Sequence, residues 1–414
     1  MKMIVKGLFF LFALMTPGSN DAALNVGIGK ADITPAIGTP SAGYAERMGK
    51  GMEGVHDPLL AIALFIDNGE KQIVFCSVDH LGFTYEMVQE IIKQVHSKPA
   101  LRQSDIYIAS SHTHAGGGAY LNIPPVGEAI AGPYSLEVTN FYIEKTVEAI
   151  IQASGHLTPA KIGIGYGKAK DLSQYRGLWP VGITPLPDVA IIKITKLDQT
   201  PLALLFNFAI HPTVLKSQNC LFSADFVGYA RNHLKTVIGP SVEPIYFNGA
   251  QGDIIPVIFN EEDRFASCEQ LGRSLAETVK EIWNRVEVSD SLHVKTENES
   301  YALKPQPTPF GLSLGIDQYK SEMNIIVLNH LYAFVTIPGE LSSVYDQRLK
   351  AIGIGLGYSN VSIFGLTNDA HGYIILPESW RYKTFESGLS FGGENYGELT
   401  KNRAEALLKN NAPE

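Results

Sequence analysis

The chain predicts an α/β fold, layered, with mixed β-sheets flanked by helices. Three observations carry that prediction. Short apolar runs alternate with amphipathic stretches, several runs are apolar at consecutive positions, and two runs are joined by Asn68-Gly69. Consecutive apolar residues such as Val74-Phe75, Ile191-Ile192 and Ala203-Leu204-Leu205 suit strands buried on both faces. Asn-Gly supplies the positive φ angles of a tight hairpin, so the runs 60–67 and 72–78 form an antiparallel pair.

From the N-terminus, Lys2 and Lys6 precede the apolar stretch 8–15, and small residues lead to Ala22-Ala23. A basic start, a short apolar core and a small-residue site make a secretory signal, well short of the ~20 residues of a membrane span. Residues 1–23 are therefore expected to be a signal peptide and 24–414 a single domain, secreted or periplasmic. Strands are predicted at 60–67, 72–78, 105–109, 161–166, 189–194, 202–208, 244–247, 325–328 and 332–337. Helices are predicted at 86–96, 137–153, 227–236, 268–286, 342–352 and 396–409; in the second, Val138, Phe141, Val147, Ile150 and Ile151 recur at helical spacing. The stretch 289–309 is more polar and reads as a seam between two lobes.

A formal net charge of -9 with no Lys/Arg cluster argues against nucleic-acid binding. Cys76, Cys220 and Cys268 show no CxxC spacing; a Cys220–Cys268 bridge is left open.

Chemistry is concentrated where apolar strands end. The run 105–109 leads into Ser111-His112-Thr113-His114 and a Gly-rich loop, so that an imidazole can enter a cleft to bind metal or move a proton. The run 202–208 leads into His211-Pro212, whose proline stops the ladder, and 332–337 leads into Pro338-Gly339-Glu340. Two histidines and a glutamate form a common catalytic zinc set with an open position, although each alone reads equally as a structural residue. Asp253, in a Gly-rich turn, either orients a ligand or water or caps the turn. Arg176 either meets a substrate oxygen or makes a surface ion pair. The pairs His56-Asp57 and Asp79-His80 are candidates to support ligating imidazoles. Gly388-Leu389-Ser390-Phe391-Gly392 matches a serine-hydrolase elbow only formally, since no His follows it.

Eight segments in order, among them GIGKADITP, VHDPLLAIAL, SSHTHAGGG, NFAIHPTVL, FNGAQGDIIP and NDAHGYI, resemble the catalytic region of the neutral/alkaline non-lysosomal ceramidases, zinc-dependent amide hydrolases. The resemblance implies a Zn2+ ion held by His112, His211, Glu340 and Tyr373, with His114 lining the site. It implies hydrolysis of an N-acyl amide, in ceramide or a related lipid, by zinc-activated water, with His114 stabilising the oxyanion and shuttling the proton, and peripheral contact with membrane lipid. The chain departs from the family pattern in two places: Ile255 stands where the family carries a serine, and Ala370 where it often carries a second tyrosine. Family members also continue into a further β-sandwich domain. A zinc hydrolase of small esters, peptides or N-acyl amino acids, and an inactive binding protein of the same fold, are the alternative readings.

Overall fold

The computed structural model describes residues 24–103, 105–177 and 187–413; the expected signal peptide lies outside them. Its largest element is an eight-stranded sheet with spatial order Glu243–Asn248, Pro201–Phe208, Asp188–Lys196, Thr158–Lys168, Asn25–Asp32, Leu60–Asp67, Gln72–Val78, Asp105–Ser110. Internal neighbours are antiparallel, whereas the outermost pair at each edge is parallel. Parallel pairing requires a crossover, and helices Tyr85–His96 and Phe226–Val237 provide it at the two edges. The expected hairpin is present, with the Asn68 side-chain oxygen accepting from the backbone N–H groups of Glu70 and Lys71.

The sheet curls until its edges touch. Ser77 Oγ donates to the Tyr246 carbonyl at 2.6 Å, and Asn248 Nδ2 donates to the Ser111 carbonyl at 3.0 Å. A second sheet, ordered Val294–Leu303, Tyr319–Leu328, Tyr332–Ile337, Asn360–Gly365, packs against the inner face of the first. Phe75, Phe247, Phe334 and Phe364 interlock between the sheets, with the Phe247 and Phe364 ring centres 4.7 Å apart. Helices Leu136–Gly155 and Arg264–Arg285 cover the outer face of the large sheet, and Ser343–Gly355 and Tyr396–Asn410 that of the small one. The result is the layered α/β fold with mixed sheets that the strand pattern predicts. Among the described residues no helix is long and apolar enough to cross a membrane.

All nine predicted strands and six predicted helices are present, and further strands join them. The polar stretch 289–309 contains the strand Val294–Leu303, whose alternating exposure reflects its place at a sheet edge. The Cys220–Cys268 bridge does not form: the Cys268 thiol donates to Asp225 Oδ1, and all three cysteines are free. Ser390 of the Gly-x-Ser-x-Gly match follows a 3-10 turn, Phe385–Leu389, in place of the strand an elbow requires.

Candidate metal centre and cavity

Closure of the large sheet positions the site. His112 leaves one edge of the sheet and His211 the strand beside the other edge, so the contact between edges brings the two imidazoles together. His112 holds φ at 72°, a left-handed conformation that costs a non-glycine residue on the order of 1–3 kcal/mol. Its backbone N–H donates to the His80 carbonyl at 2.9 Å, which fixes the turn. Glu340 arrives from the small sheet, in a two-residue parallel bridge that places it opposite Tyr373.

The ring nitrogens settle what the cluster can bind. His112 Nδ1 lies 2.7 Å from the Leu81 carbonyl, and His211 Nδ1 lies 3.0 Å from the Ile254 carbonyl. A carbonyl only accepts, so each Nδ1 carries the proton and each Nε2 of the neutral ring presents a lone pair. Those lone pairs face one carboxylate oxygen: Glu340 Oε2 is 2.9 Å from His211 Nε2 and 3.1 Å from His112 Nε2. A proton on one Nε2 would make such a contact a hydrogen bond, and with both rings neutral a cation among these atoms would satisfy lone pairs and carboxylate together. His114 Nε2 lies 3.4 Å from His112 Nε2, and the donor atoms of His112, His114 and His211 all fall within 4.8 Å of one another. Backbone carbonyls orienting ligating imidazoles are the usual supporting arrangement of a metal site.

The protonation states agree. Burial lowers the His211 imidazole to about 4, helped by the Arg176 charge and opposed by Glu340. His114 is held well below the ordinary imidazole value by burial and by its neighbours His112 and His211. Burial works against ionisation of Glu340, yet His112 and His211 hold its carboxyl well below the usual range. Neutral imidazoles and an ionised carboxylate are the donor forms that a divalent cation requires, so the residues fit the metal that the resemblance implies.

The cluster forms part of the wall of a cavity of about 650 Å³. Leu121, Ile123, Val126, Ile130, Leu314 and Phe391 make much of the remaining wall apolar. Tyr373 and Arg176 line it together: Arg176 Nη2 donates to the Tyr373 hydroxyl at 2.9 Å and to the Gly252 carbonyl, and Nε donates to Glu386 Oε1 at 3.0 Å. Burial opposes the charge on Arg176, but Tyr373, Glu386 and Glu340 keep it protonated. The Tyr373 ring centre is 6.2 Å from that of His211. Ile255 also lines the cavity.

Of the residues singled out from sequence, His112, His114, Glu340, Arg176 and Tyr373 line this wall, and His211 lies behind it against Glu340. Asp253 does not line it. Its carboxylate accepts from Ser342 Oγ, the N-cap residue of helix Ser343–Gly355, and from the backbone N–H of Ser343 at 2.8 Å, so it braces the start of that helix and not its own turn. Asp57 accepts from Ser223 and Ala224, and Asp79 pairs with Arg231, so neither supports a site imidazole. The Leu81 and Ile254 carbonyls take that place, and main-chain groups carry no signature in sequence. Glu386, the partner of Arg176, and Tyr44, whose ring lies 4.8 Å from that of His114, were likewise unmarked by any motif.

A family model described as neutral/alkaline non-lysosomal ceramidase, N-terminal, matches residues 24–243. Neutral ceramidase B of Dictyostelium discoideum is 24% identical over 235 residues, covering 51% of this chain and 32% of that protein. Neutral ceramidase of Drosophila melanogaster is 24% identical over 257 residues, covering 57% of this chain and 36% of that protein. The chain thus spans about a third of the length of these curated relatives. The crystal structure of neutral ceramidase from Pseudomonas aeruginosa superposes with a TM-score of 0.81 at 15% identity, over 94% of this chain and 74% of that one. A ceramidase complexed with C2 gives the same TM-score over 75% of its chain.

Proposed function

The chain belongs to the neutral/alkaline non-lysosomal ceramidase family, and from that premise we propose that it is an exported, zinc-dependent hydrolase of the N-acyl amide bond of ceramide or a related lipid. One observation carries the reading: two buried imidazole lone pairs converge on an ionised carboxylate in the wall of a largely apolar cavity. A cation held by His112, His211 and Glu340, with Tyr373 beside them, would supply Lewis acidity toward a carbonyl oxygen and acidify water near neutral pH.

The chain's own groups supply the rest. His114 is neutral and turns Nε2 toward the site, 3.4 Å from His112 Nε2, so that nitrogen is a base able to take a proton from attacking water and return it to the leaving amine. Arg176 fixes the Tyr373 hydroxyl and brings positive charge to the wall. Ile255 offers no nucleophilic atom, so hydrolysis proceeds without an acyl-enzyme and serine-directed reagents leave the enzyme unlabelled. Phe385, Tyr382 and Phe310, 70%, 64% and 60% exposed, lie in or near the loop that lines the cavity, which supports peripheral contact with a lipid surface.

The test is metal content together with hydrolysis of an N-acylsphingosine series. About one zinc per chain is expected, lost with activity in His112→Ala and Glu340→Ala. Each buried methylene contributes about 0.8 kcal/mol, so rates should climb steeply with acyl length. A preference for chains shorter than ~8 carbons would turn the reading toward small N-acyl substrates. Zinc without hydrolysis of any amide or ester would leave a binding protein. Full activity after exhaustive chelation would sink the metal-dependent mechanism.

A further inference from the structure

Resting on the amide-hydrolase reading, we propose that Tyr44 is a catalytic hydrogen-bond donor, its phenol O–H reaching the oxygen of the scissile carbonyl. The absence of a hydroxyl at position 255 raises the question of which other group could steady that oxygen. Among the described residues, two phenols in the cavity wall have rings against a site imidazole, Tyr44 on His114 and Tyr373 on His211. The Tyr373 hydroxyl is engaged by Arg176. No hydrogen bond joins the Tyr44 hydroxyl to the described residues, and its half-buried ring is held by neighbours on the site side.

Two contacts hold that ring. Its centre lies 4.8 Å from the His114 ring and 4.9 Å from the Arg47 guanidinium carbon. Arg47 is itself anchored, donating to the carbonyls of His114, Lys216 and Ser217 and to the Ser41 hydroxyl. Preceding it, Gly43 holds φ at 105°, and a β-carbon there would come within 2.4 Å of His114 Nδ1. Backbone and imidazole are thus in close contact, and the ring has little freedom to swing away. Burial raises the phenol pKa, which keeps the hydroxyl protonated and able to donate throughout the working pH range. A positioned donor in a largely apolar cavity is the arrangement that stabilises charge developing on a carbonyl oxygen.

In the reaction, water oxygen bonds to the carbonyl carbon while the C=O electron pair moves onto oxygen, where the Tyr44 O–H receives it. When the C–N bond breaks, its electrons pass to nitrogen, which takes the proton from water, releasing acid and amine. Tyr44 keeps its own proton throughout, so no co-reactant is needed.

Tyr44→Phe removes the hydroxyl and retains every ring contact. Its kcat on the best N-acyl substrate should fall about 10²-fold, with KM, zinc content and Tm near those of the parent. Tyr358→Phe is the matched comparison: that phenol lies outside the cavity wall and donates to the Leu408 carbonyl at 3.0 Å, and its loss should leave kcat within a few-fold, ~5 at most. An unchanged kcat in Tyr44→Phe, with an active parent, overturns this role alone. A rise in KM at constant kcat also overturns it, since that would mark ground-state binding. A parent inactive on every N-acyl amide fells this role together with the reading it rests on.

Discussion

Two buried ionic clusters in this molecule answer the same electrostatic problem differently. In one, Arg231 meets Asp79 with both guanidinium ends, at 3.1 and 2.6 Å, and Asp79 also accepts the Leu60 N–H. Every charge and lone pair there has its complement within the chain. In the other, Glu340 faces two imidazoles whose protons point away, toward the Leu81 and Ile254 carbonyls. The first cluster is complete as folded; the second has the donor set that the proposed cation would complete. That difference separates a buried charge that maintains a fold from one that serves a ligand.

The sharpest way to break the comparison is to remove one carboxylate from each cluster. Asp79→Ala strands a buried guanidinium and should cost about 3–5 kcal/mol in denaturant unfolding, with zinc stoichiometry of the folded protein unchanged. Glu340→Ala, unfolded in chelator, should cost far less, because it strands no charged partner; a loss as large as that of Asp79→Ala would show the two clusters to be alike.

Acid should distinguish them next. His211 titrates at about 4 in the native chain against 6.5 for a free imidazole. The unfolded chain therefore binds this proton first, so stability is full above about pH 6.5 and declines as pH falls toward about 4, by up to ~1.4 kcal/mol per pH unit for each such group. Burial lowers His80, whose ring packs on Tyr120 and Tyr142 outside the proposed ligand set, to about 3, so it adds to the same decline. Saturating zinc should shift the His211 part of the acid limb to lower pH and leave the His80 part in place, measured by urea midpoints from pH 4 to 7 with and without the ion. An acid limb that zinc does not move would contradict ligation by His211.

The smallest effect tests the reassigned aspartate. Asp253→Ala removes the brace at a helix start and should lower stability by about 1 kcal/mol while zinc content stays at the parent level. Loss of zinc in that variant would return Asp253 to the site.

Much of this was written into the strands. Buried strands announce themselves through consecutive branched residues, and 60–67, 72–78 and 332–337 match to the residue. The strand Asn25–Asp32 is obscured because Gly27 and Gly29 interrupt its apolar pattern. A β-carbon at either would come within 2 Å of a carbonyl in helix Leu136–Gly155, the oxygens of Ala153 and Ala149 lying at 1.8 and 1.9 Å, so close helix packing has replaced side chains. Val294–Leu303 reads as loop because an edge strand keeps one face wet. At the site, strand exits picked out His112, His211 and Glu340, but their convergence depends on sheet closure, a long-range event with no local signature. Asp253 was ambiguous because a capping carboxylate and a water-orienting one look identical in a Gly-rich turn.

The distance along the chain between His211 and its carboxylate partner, 129 residues, has a consequence for synthesis. A ribosome-bound chain that has just extruded the strand Glu243–Asn248 already holds both imidazoles, yet the charge that balances a cation is still untranslated. If the proposed cation binds there, its capture would mark completion: it would wait for Tyr332–Ile337 to dock on the closed sheet. From that moment, mass action would draw the late-made layer onto the early one. Under the proposed metal-dependent reading, cation supply would then govern how much protein matures as well as how fast it works.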